Sequence, residues 1–133
     1  MLPAADKNFK NTFKKRDKLK SPLEIEALYR ESLFIVSRPL KCYYSFAEIT
    51  DNNSNIRVAF SVPKKIFKNA TARNRLKRRM REAYRLHYKT IFETFINKKE
   101  KQLKLFFIYV GKEILDSEKI MKSLRIILQK IHL

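Results

Sequence analysis

The sequence predicts a single α+β domain built on one β-sheet. Residues 103–110 are apolar on both faces, as in a strand that is covered on both sides. Two longer segments place apolar residues at helical spacing. A chain of 133 residues is long enough for one domain with its own hydrophobic core. The predicted order is helix, two or three strands, helix, strand, helix, without an internal repeat.

The first predicted helix begins at Ser21 and runs to about Arg30. Ser21 can cap the helix, Pro22 suits the first helical position, and Glu24 can close a capping box. Upstream, residues 1–12 are rich in lysine and predict a flexible basic arm before a domain that covers residues 13–133.

Two predicted strands follow, at residues 40–50 and 56–62, and both alternate at the period of a half-buried strand. The polar residues 51–55 between them predict a turn, so we expect an antiparallel hairpin. Cys42 lies within the first strand, where a small buried hydrophobic residue is expected.

A long basic helix is predicted from residues 69–71 to about Tyr88, and residues 90–102 form a charged connection with a helical extension through Phe95. The last helix begins at Asp116 or Ser117, and Gly111 ends the strand before it. Both helices have an apolar stripe, formed by Ala72, Leu76, Met80, Ala83 and Tyr84 in the first and by Ile120, Leu124, Ile127, Leu128 and Ile131 in the second.

The charge of the chain indicates a polyanionic partner. Lysine and arginine total 31 and aspartate and glutamate 13, for a net charge of +18. Hydrophobic residues make up 44% of the chain, which excludes a disordered basic tail. A single cysteine and a single glycine exclude a disulfide framework, a cysteine-rich zinc module and a glycine-rich phosphate loop. Without a transmembrane segment or a secretory signal in the pattern, we expect a cytoplasmic protein that binds nucleic acid.

The basic helix is the strongest candidate for that contact. Between Arg73 and Arg85 there are seven basic residues and one acidic residue, Glu82, whereas a solvated helix face normally alternates signs. Guanidinium groups suit phosphate contacts, and Asn74 can bond to a base, a 2′-hydroxyl or a backbone group.

A second candidate is a set of aromatic and apolar residues near the first helix and the strands. Ile25, Tyr29, Tyr43 and Phe60 can line a cleft in which single-stranded bases stack. The alternative is that these are ordinary core residues, and spacing leaves both interpretations open.

Groups for catalysis are not apparent in the sequence. His87 and His132 have no Cys, Asp or Glu at ligand spacing, and no nucleophile–base arrangement can be recognised. We therefore expect neither a metal site nor a catalytic centre in the protein itself.

Two linked motifs resemble one family. Residues 61–65 read Ser-Val-Pro-Lys-Lys, and residues 69–78 read Asn-Ala-Thr-Ala-Arg-Asn-Arg-Leu-Lys-Arg. This pairing resembles the bacterial ribonuclease P protein subunit, and the likeness extends over roughly residues 13–133. The loop between the motifs has Phe67-Lys68 where the family usually has a glycine.

The resemblance implies the order α-β-β-β-α-β-α around one four-stranded mixed sheet, with a left-handed crossover like that in the second domain of a small-subunit ribosomal protein. It implies a subunit that binds a catalytic RNA and the 5′ leader of precursor tRNA and so aids endonucleolytic removal of the leader. Mg²⁺ held mainly by the RNA performs the hydrolysis, and no membrane or obligate protein partner is implied. The matching RNA-contact positions are Lys64, Lys65, Arg73, Asn74, Arg75, Lys77, Arg78 and Arg81.

For the leader, the resemblance points to a cleft between the first helix and the sheet, where Ile25 and Tyr29 occupy the matching helix positions. Two other classes of protein are the rivals. A non-enzymatic ribosomal-type RNA-binding protein fits the charge and fold equally well, and a protein-only nuclease would require clustered carboxylates.

Overall fold

The computed structural model describes residues 18–31, 33–49 and 55–131, which form four helices and four strands. The predicted arm at residues 1–12, most of the predicted turn and His132 lie outside these ranges. In chain order the elements are α1 (Pro22–Glu31), β1 (Leu33–Ser37), β2 (Leu40–Glu48), β3 (Ile56–Ser61), α2 (Ala70–Ile91), α3 (Glu93–Lys98), β4 (Lys101–Tyr109) and α4 (Ser117–Lys130).

The four strands form one mixed sheet in the order β1-β2-β4-β3. Strand β2 is antiparallel to both β1 and β4, whereas β3 is parallel to β4. The prediction of an α+β domain around one four-stranded sheet is confirmed. The central place of β4 agrees with its apolar character on both faces.

The predicted hairpin between the second and third strands is wrong. Cys42 of β2 and Phe60 of β3 both pair with Phe107, because β4 lies between the two strands. Alternation in a strand determines which face each residue occupies, but it does not identify the neighbouring strand. Burial favours β4 in the middle, since only a central strand has both faces covered.

Helices α2 and α4 cover one face of the sheet and form the main core with it. The predicted stripe of α4 is confirmed, and so is that of α2 except for Ala72, which is half-buried. The side chains that fill this core from the helices include Leu76, Met80, Tyr84, Ile120, Leu124 and Leu128.

A smaller cluster lies on the opposite face, beneath α1. Leu28 of α1 packs with Leu19, Tyr43 and Phe106. The backbone amide of Leu19 donates to the carbonyl oxygen of Val58 at 2.9 Å, so the segment before α1 lies along β3. This thin layer leaves part of the sheet face open.

The helix starts agree with the sequence signals except at Glu24. Ser21 Oγ accepts from the amide of Glu24 at 3.3 Å, and Asp116 Oδ1 accepts from that of Lys119 at 3.0 Å. The predicted capping box is wrong, because the Glu24 carboxylate instead faces Arg57 and Lys104. The predicted extension beyond the basic helix is a separate short helix, α3, which begins after the buried Phe92.

Candidate nucleic-acid interface

The amino-terminal half of α2 presents a cationic face to solvent. Asn69 begins the helix, with Oδ1 accepting from the amides of Thr71 (2.7 Å) and Ala72 (3.3 Å). Because Leu76 and Met80 fix the buried side, the opposite side is turned outward. Four exposed predicted side chains form this basic face: Asn74, Arg75, Arg78 and Arg81.

Arg73 has a different environment from its neighbours in the motif. It is half-buried, and its Nη1 donates to the carbonyl oxygens of Phe67 at 2.7 Å and Lys68 at 2.9 Å. It therefore connects the first turn of α2 to the preceding loop, residues 64–68. Since a guanidinium has five N–H donors, Arg73 also retains donors for an RNA phosphate.

The loop is also anchored by Phe67. Its ring is buried and contacts Tyr109 edge-on at a centroid distance of 5.6 Å. Lys64 and Lys65 of the same loop are exposed, whereas Lys77 on the helix is half-buried. The structure thus brings the eight predicted RNA-contact residues to one end of α2, and Phe67 provides an anchor where the family usually has a glycine.

Aromatic side chains lie on the other face of the sheet, beside α1. The centroid of the Tyr43 ring lies 5.2 Å from that of Tyr29 and 5.7 Å from that of Phe34. Lys41 Nζ lies 4.3 Å from the ring centroid of Phe34 and 4.8 Å from that of Tyr43. We call Tyr29, Phe34, Lys41 and Tyr43 the aromatic surface.

The exposure of these rings suits ligand binding. Tyr29 is 58% exposed and Phe34 53%, whereas Tyr43 is 8% exposed and forms the floor. Ile25 is half-buried and packs against the cluster beneath α1. Exposed rings beside a cation can stack unpaired bases and neutralise a phosphate.

Phe60 does not belong to this surface. It lies on the opposite face of the sheet, where its ring stacks on Phe107 at 5.6 Å and contacts Tyr84 at 5.9 Å. Successive strand residues alternate faces, so Ala59 rather than Phe60 faces α1. Of the four residues predicted for the cleft, the structure brings together Ile25, Tyr29 and Tyr43.

Phe34 and Lys41 are the members of the aromatic surface that sequence reasoning missed. Phe34 lies in β1, whose apolar run at residues 33–36 is a usable strand signal. Lys41 lies two positions before Tyr43, and that spacing places both on one strand face.

A group of three charged residues fixes α1 beside the aromatic surface. Glu24 Oε2 lies 2.8 Å from Lys104 Nζ, and Oε1 lies 3.5 Å from Arg57 Nη1. The hydrogen bond from Lys104 is the main reason that the pKa of Glu24 lies below its usual value. Arg57 Nη2 also donates to the carbonyl oxygen of Lys18 at 3.1 Å.

Cys42 and His87, the described cysteine and histidine, lie in environments that suit a structural role. Burial raises the pKa of the Cys42 thiol far above its usual range, and the predicted burial of this residue is confirmed. Burial, together with the positive charge of Arg125, lowers the pKa of His87. Among the described residues, no group of three or more His, Cys, Asp or Glu side chains is placed to hold a metal ion.

Comparison with known proteins gives one consistent family. The family model named Ribonuclease P matches residues 13–132. A protein of Chlorobium phaeobacteroides named "Ribonuclease P protein component" is 33% identical over 84 residues, which are 62% of this chain and 58% of that protein. The chain thus spans a little under three fifths of this curated relative.

Solved structures agree in fold. The ribonuclease P protein of Thermotoga maritima is 20% identical, with a TM-score of 0.67 over 86% of this chain and 97% of the other. That of Staphylococcus aureus, also 20% identical, has a TM-score of 0.61 over 84% of this chain and 92% of the other. At this identity, the likeness shows a shared fold.

Proposed function

This chain belongs to the ribonuclease P protein family, and we propose that it is the protein subunit of a bacterial-type ribonuclease P. In this assembly a catalytic RNA removes the 5′ leader of precursor tRNA, and the protein binds both RNAs. The observation that supports the proposal most strongly is the Arg73-Asn74-Arg75 motif in the first two turns of α2, after the loop that carries the exposed Lys64 and Lys65.

The catalytic RNA is the partner of the basic face and the adjoining loop. Arg75, Arg78 and Arg81 are exposed on successive turns of α2 and can each reach a phosphate of a folded RNA. Arg73 contributes by holding the loop that presents Lys64 and Lys65. Removing cations from this region should weaken binding and reduce its dependence on salt.

The 5′ leader is the ligand of the aromatic surface. A leader is single-stranded, so its bases are free to stack on Tyr29 and Phe34 while a phosphate lies near Lys41. This surface and α2 lie on opposite faces of the sheet. The protein can therefore bind the catalytic RNA and the leader at the same time.

The chemical step belongs to the RNA in this proposal. Mg²⁺ bound mainly by the RNA supplies the hydrolytic chemistry, and the described residues contain no group of three or more His, Cys, Asp or Glu side chains placed to hold a metal ion. The protein contributes positive charge between two polyanions, which reduces the electrostatic cost of bringing them together. A cytoplasmic location follows from these partners. In the part of the chain that the structure describes, no helix has the length and apolar character to cross a membrane.

Co-purification from a bacterial host tests the assignment. We expect the tagged chain to retain one structured RNA that cleaves precursor tRNA with Mg²⁺. The Arg75→Ala/Arg78→Ala variant should retain much less of this RNA, whereas Lys122→Ala, on the outer side of α4, should retain as much as the unchanged chain. Recovery of ribosomal RNA without cleaving activity would favour the ribosomal-type alternative.

A further inference from the structure

A cavity of about 360 Å³ lies at the other end of α2, away from the basic face. It is formed where α2 ends, α3 follows, β2 ends and β4 begins. We call it the α3 pocket; its lining residues are Phe46, Ile91, Thr94, Phe95, Lys98, Glu100 and Lys101.

Two aromatic rings and Ile91 form the apolar part of the α3 pocket. The Phe46 and Phe95 rings are 6.0 Å apart at an interplanar angle of 57°, and Phe46 is 39% exposed. Phe95 is half-buried. Exposed apolar surface is costly in water, and a cavity lined by aromatic rings favours a flat apolar group.

The mouth of the pocket is cationic. Lys98 and Lys101 line it beside one acidic residue, Glu100, and all three are exposed. Lys99 has φ 53° and ψ 35°, the left-handed conformation in which glycine is usual at a helix end. Lys99, next to Lys98 in the chain, therefore has a backbone conformation that is unfavourable for a residue with a side chain.

The short helix beside the pocket is fixed to the sheet. Asn55 Nδ2 donates to the carbonyl oxygens of Phe95 at 3.1 Å and Ile96 at 3.2 Å. Two of the last carbonyl groups of α3 are thereby satisfied, and the aromatic wall of the pocket is held in position. A cavity with a fixed wall costs less to order when a ligand binds.

We propose that the α3 pocket binds one unpaired nucleotide of the catalytic RNA, with its base against Phe46 and Phe95 and its phosphate beside Lys98 and Lys101. This inference rests on the proposed function. The pocket is on the α2 side of the sheet, because Phe46 shares a face with Cys42, which packs in the core beneath α2. It therefore lies on the same side of the sheet as α2 and on the side opposite to the aromatic surface.

The distance along α2 makes this a separate contact. Arg75 and Ile91 are 16 positions apart in one helix, which is roughly 24 Å at 1.5 Å per residue. A folded RNA that contacts the basic face can span this length. The pocket would then fix the direction of α2 on the RNA, which a row of phosphate contacts leaves less well determined.

Fluorescence gives a direct test, because the chain has no tryptophan. In Phe95→Trp, we expect the catalytic RNA to quench the emission by stacking, while an oligonucleotide of leader sequence does not. The control is Leu23→Trp on α1, where the catalytic RNA should change emission little. The proposal would be overturned if the leader oligonucleotide quenches the emission and the catalytic RNA does not. Quenching by polyglutamate without quenching by the catalytic RNA would overturn it as well.

Charge reversal gives a second test that does not depend on the aromatic wall. Lys98→Glu should weaken binding of the catalytic RNA by about 5- to 100-fold more than the matched Lys122→Glu. Equal weakening by the two variants would contradict the α3 pocket. If the unchanged protein binds no ribonuclease P RNA, the proposed function itself fails; if binding requires Arg75 but not Lys98, only this inference fails.

Discussion

Replacement of Arg73 and of Arg75 by alanine should have different consequences, although the two residues are neighbours in one motif. Arg73 donates two hydrogen bonds to loop carbonyl oxygens, whereas Arg75 is exposed on the basic face. We therefore expect Arg73→Ala to lower both stability and RNA affinity, and Arg75→Ala to lower RNA affinity alone.

The magnitudes follow from the contacts. A hydrogen bond from a charged donor contributes roughly 1.5–3 kcal/mol to stability when it is shielded from water. Because the bond from Arg73 to Lys68 is exposed, it contributes less. Arg73→Ala should therefore lower the free energy of unfolding by about 2 kcal/mol in total. For a domain of this size, that loss lowers Tm by about 6–10 °C. Loss of the Arg75 contact should weaken RNA binding by about 1–3 kcal/mol, or roughly 5- to 150-fold in Kd.

Two measurements separate these effects. Thermal unfolding by circular dichroism should show the lower Tm for Arg73→Ala and not for Arg75→Ala. Filter binding to the catalytic RNA across a salt series should show a slope that is smaller by about one for Arg75→Ala. Arg73→Lys keeps the charge but not the planar fork, and it should remain less stable than the unchanged protein.

An unchanged Tm in Arg73→Ala would refute the loop contact as a stabilising interaction. Unchanged RNA affinity in Arg75→Ala would refute the assignment of the basic face. If Arg73→Lys restores both stability and affinity, the charge of residue 73 matters and its bonds to the loop do not.

Three further perturbations test other parts of the structure. Tyr29→Ala should weaken binding of precursor tRNA more than that of mature tRNA, by roughly 1–3 kcal/mol for one stacked base. The control Leu23→Ala, also at an exposed position of α1, should change the two affinities equally. Equal losses for both ligands in Tyr29→Ala would indicate that Tyr29 has only a core role. The stability of the folded chain should decline as the pH falls below 6.5, the ordinary pKa of histidine, because the lowered pKa of His87 makes the folded state bind a proton less readily than the unfolded state. In thermal unfolding between pH 5 and 8, Tm should therefore depend less on pH in His87→Gln than in the unchanged protein. The same dependence in both proteins would refute this prediction. Glu24→Gln should be less stable than the unchanged protein above pH 4.5, and the two stabilities should converge at lower pH, since the ion pair with Lys104 is lost as the carboxylate protonates. A difference in urea midpoint that stays constant across pH would contradict this prediction.

The helices were the most predictable part of the fold. Asn69 and Asp116 cap α2 and α4 through side-chain oxygens, which is a local interaction that the sequence reveals directly. The apolar stripe of α4 likewise corresponds to its buried face. These signals depend on residues within a few positions of one another and need no knowledge of the rest of the chain.

The strand order was not predictable from the strands themselves. Residues 40–50 and 56–62 are consecutive and alternate well, yet β4, from much later in the chain, separates them. Pairing depends on contacts between segments that are distant in the chain, including the packing of α2 and α4 on the sheet. The same reason explains Phe60, whose face is occupied by α2 and not by α1.

The candidate sites were predictable in composition but not in detail. The Arg-Asn-Arg motif located the basic face, but the bonds of Arg73 to Phe67 and Lys68 depend on the path of a loop. Phe34 reaches the aromatic surface only through the pairing of β1 with β2. The role of Glu24 also required the structure, because Glu24 is in α1 and its partners Arg57 and Lys104 are in β3 and β4.

Cleavage of precursor tRNA across a magnesium series tests the central claim most directly. A 5′-labelled precursor is incubated with the purified protein, with a bacterial-type ribonuclease P RNA, or with both. We predict no cleavage by the protein alone, cleavage by the RNA at high Mg²⁺, and cleavage by the mixture at lower Mg²⁺, because a chain of net charge +18 supplies positive charge between two polyanions. Cleavage by the RNA-free protein would contradict the account and favour a protein-only nuclease, and an unchanged magnesium requirement would favour a general RNA-binding protein.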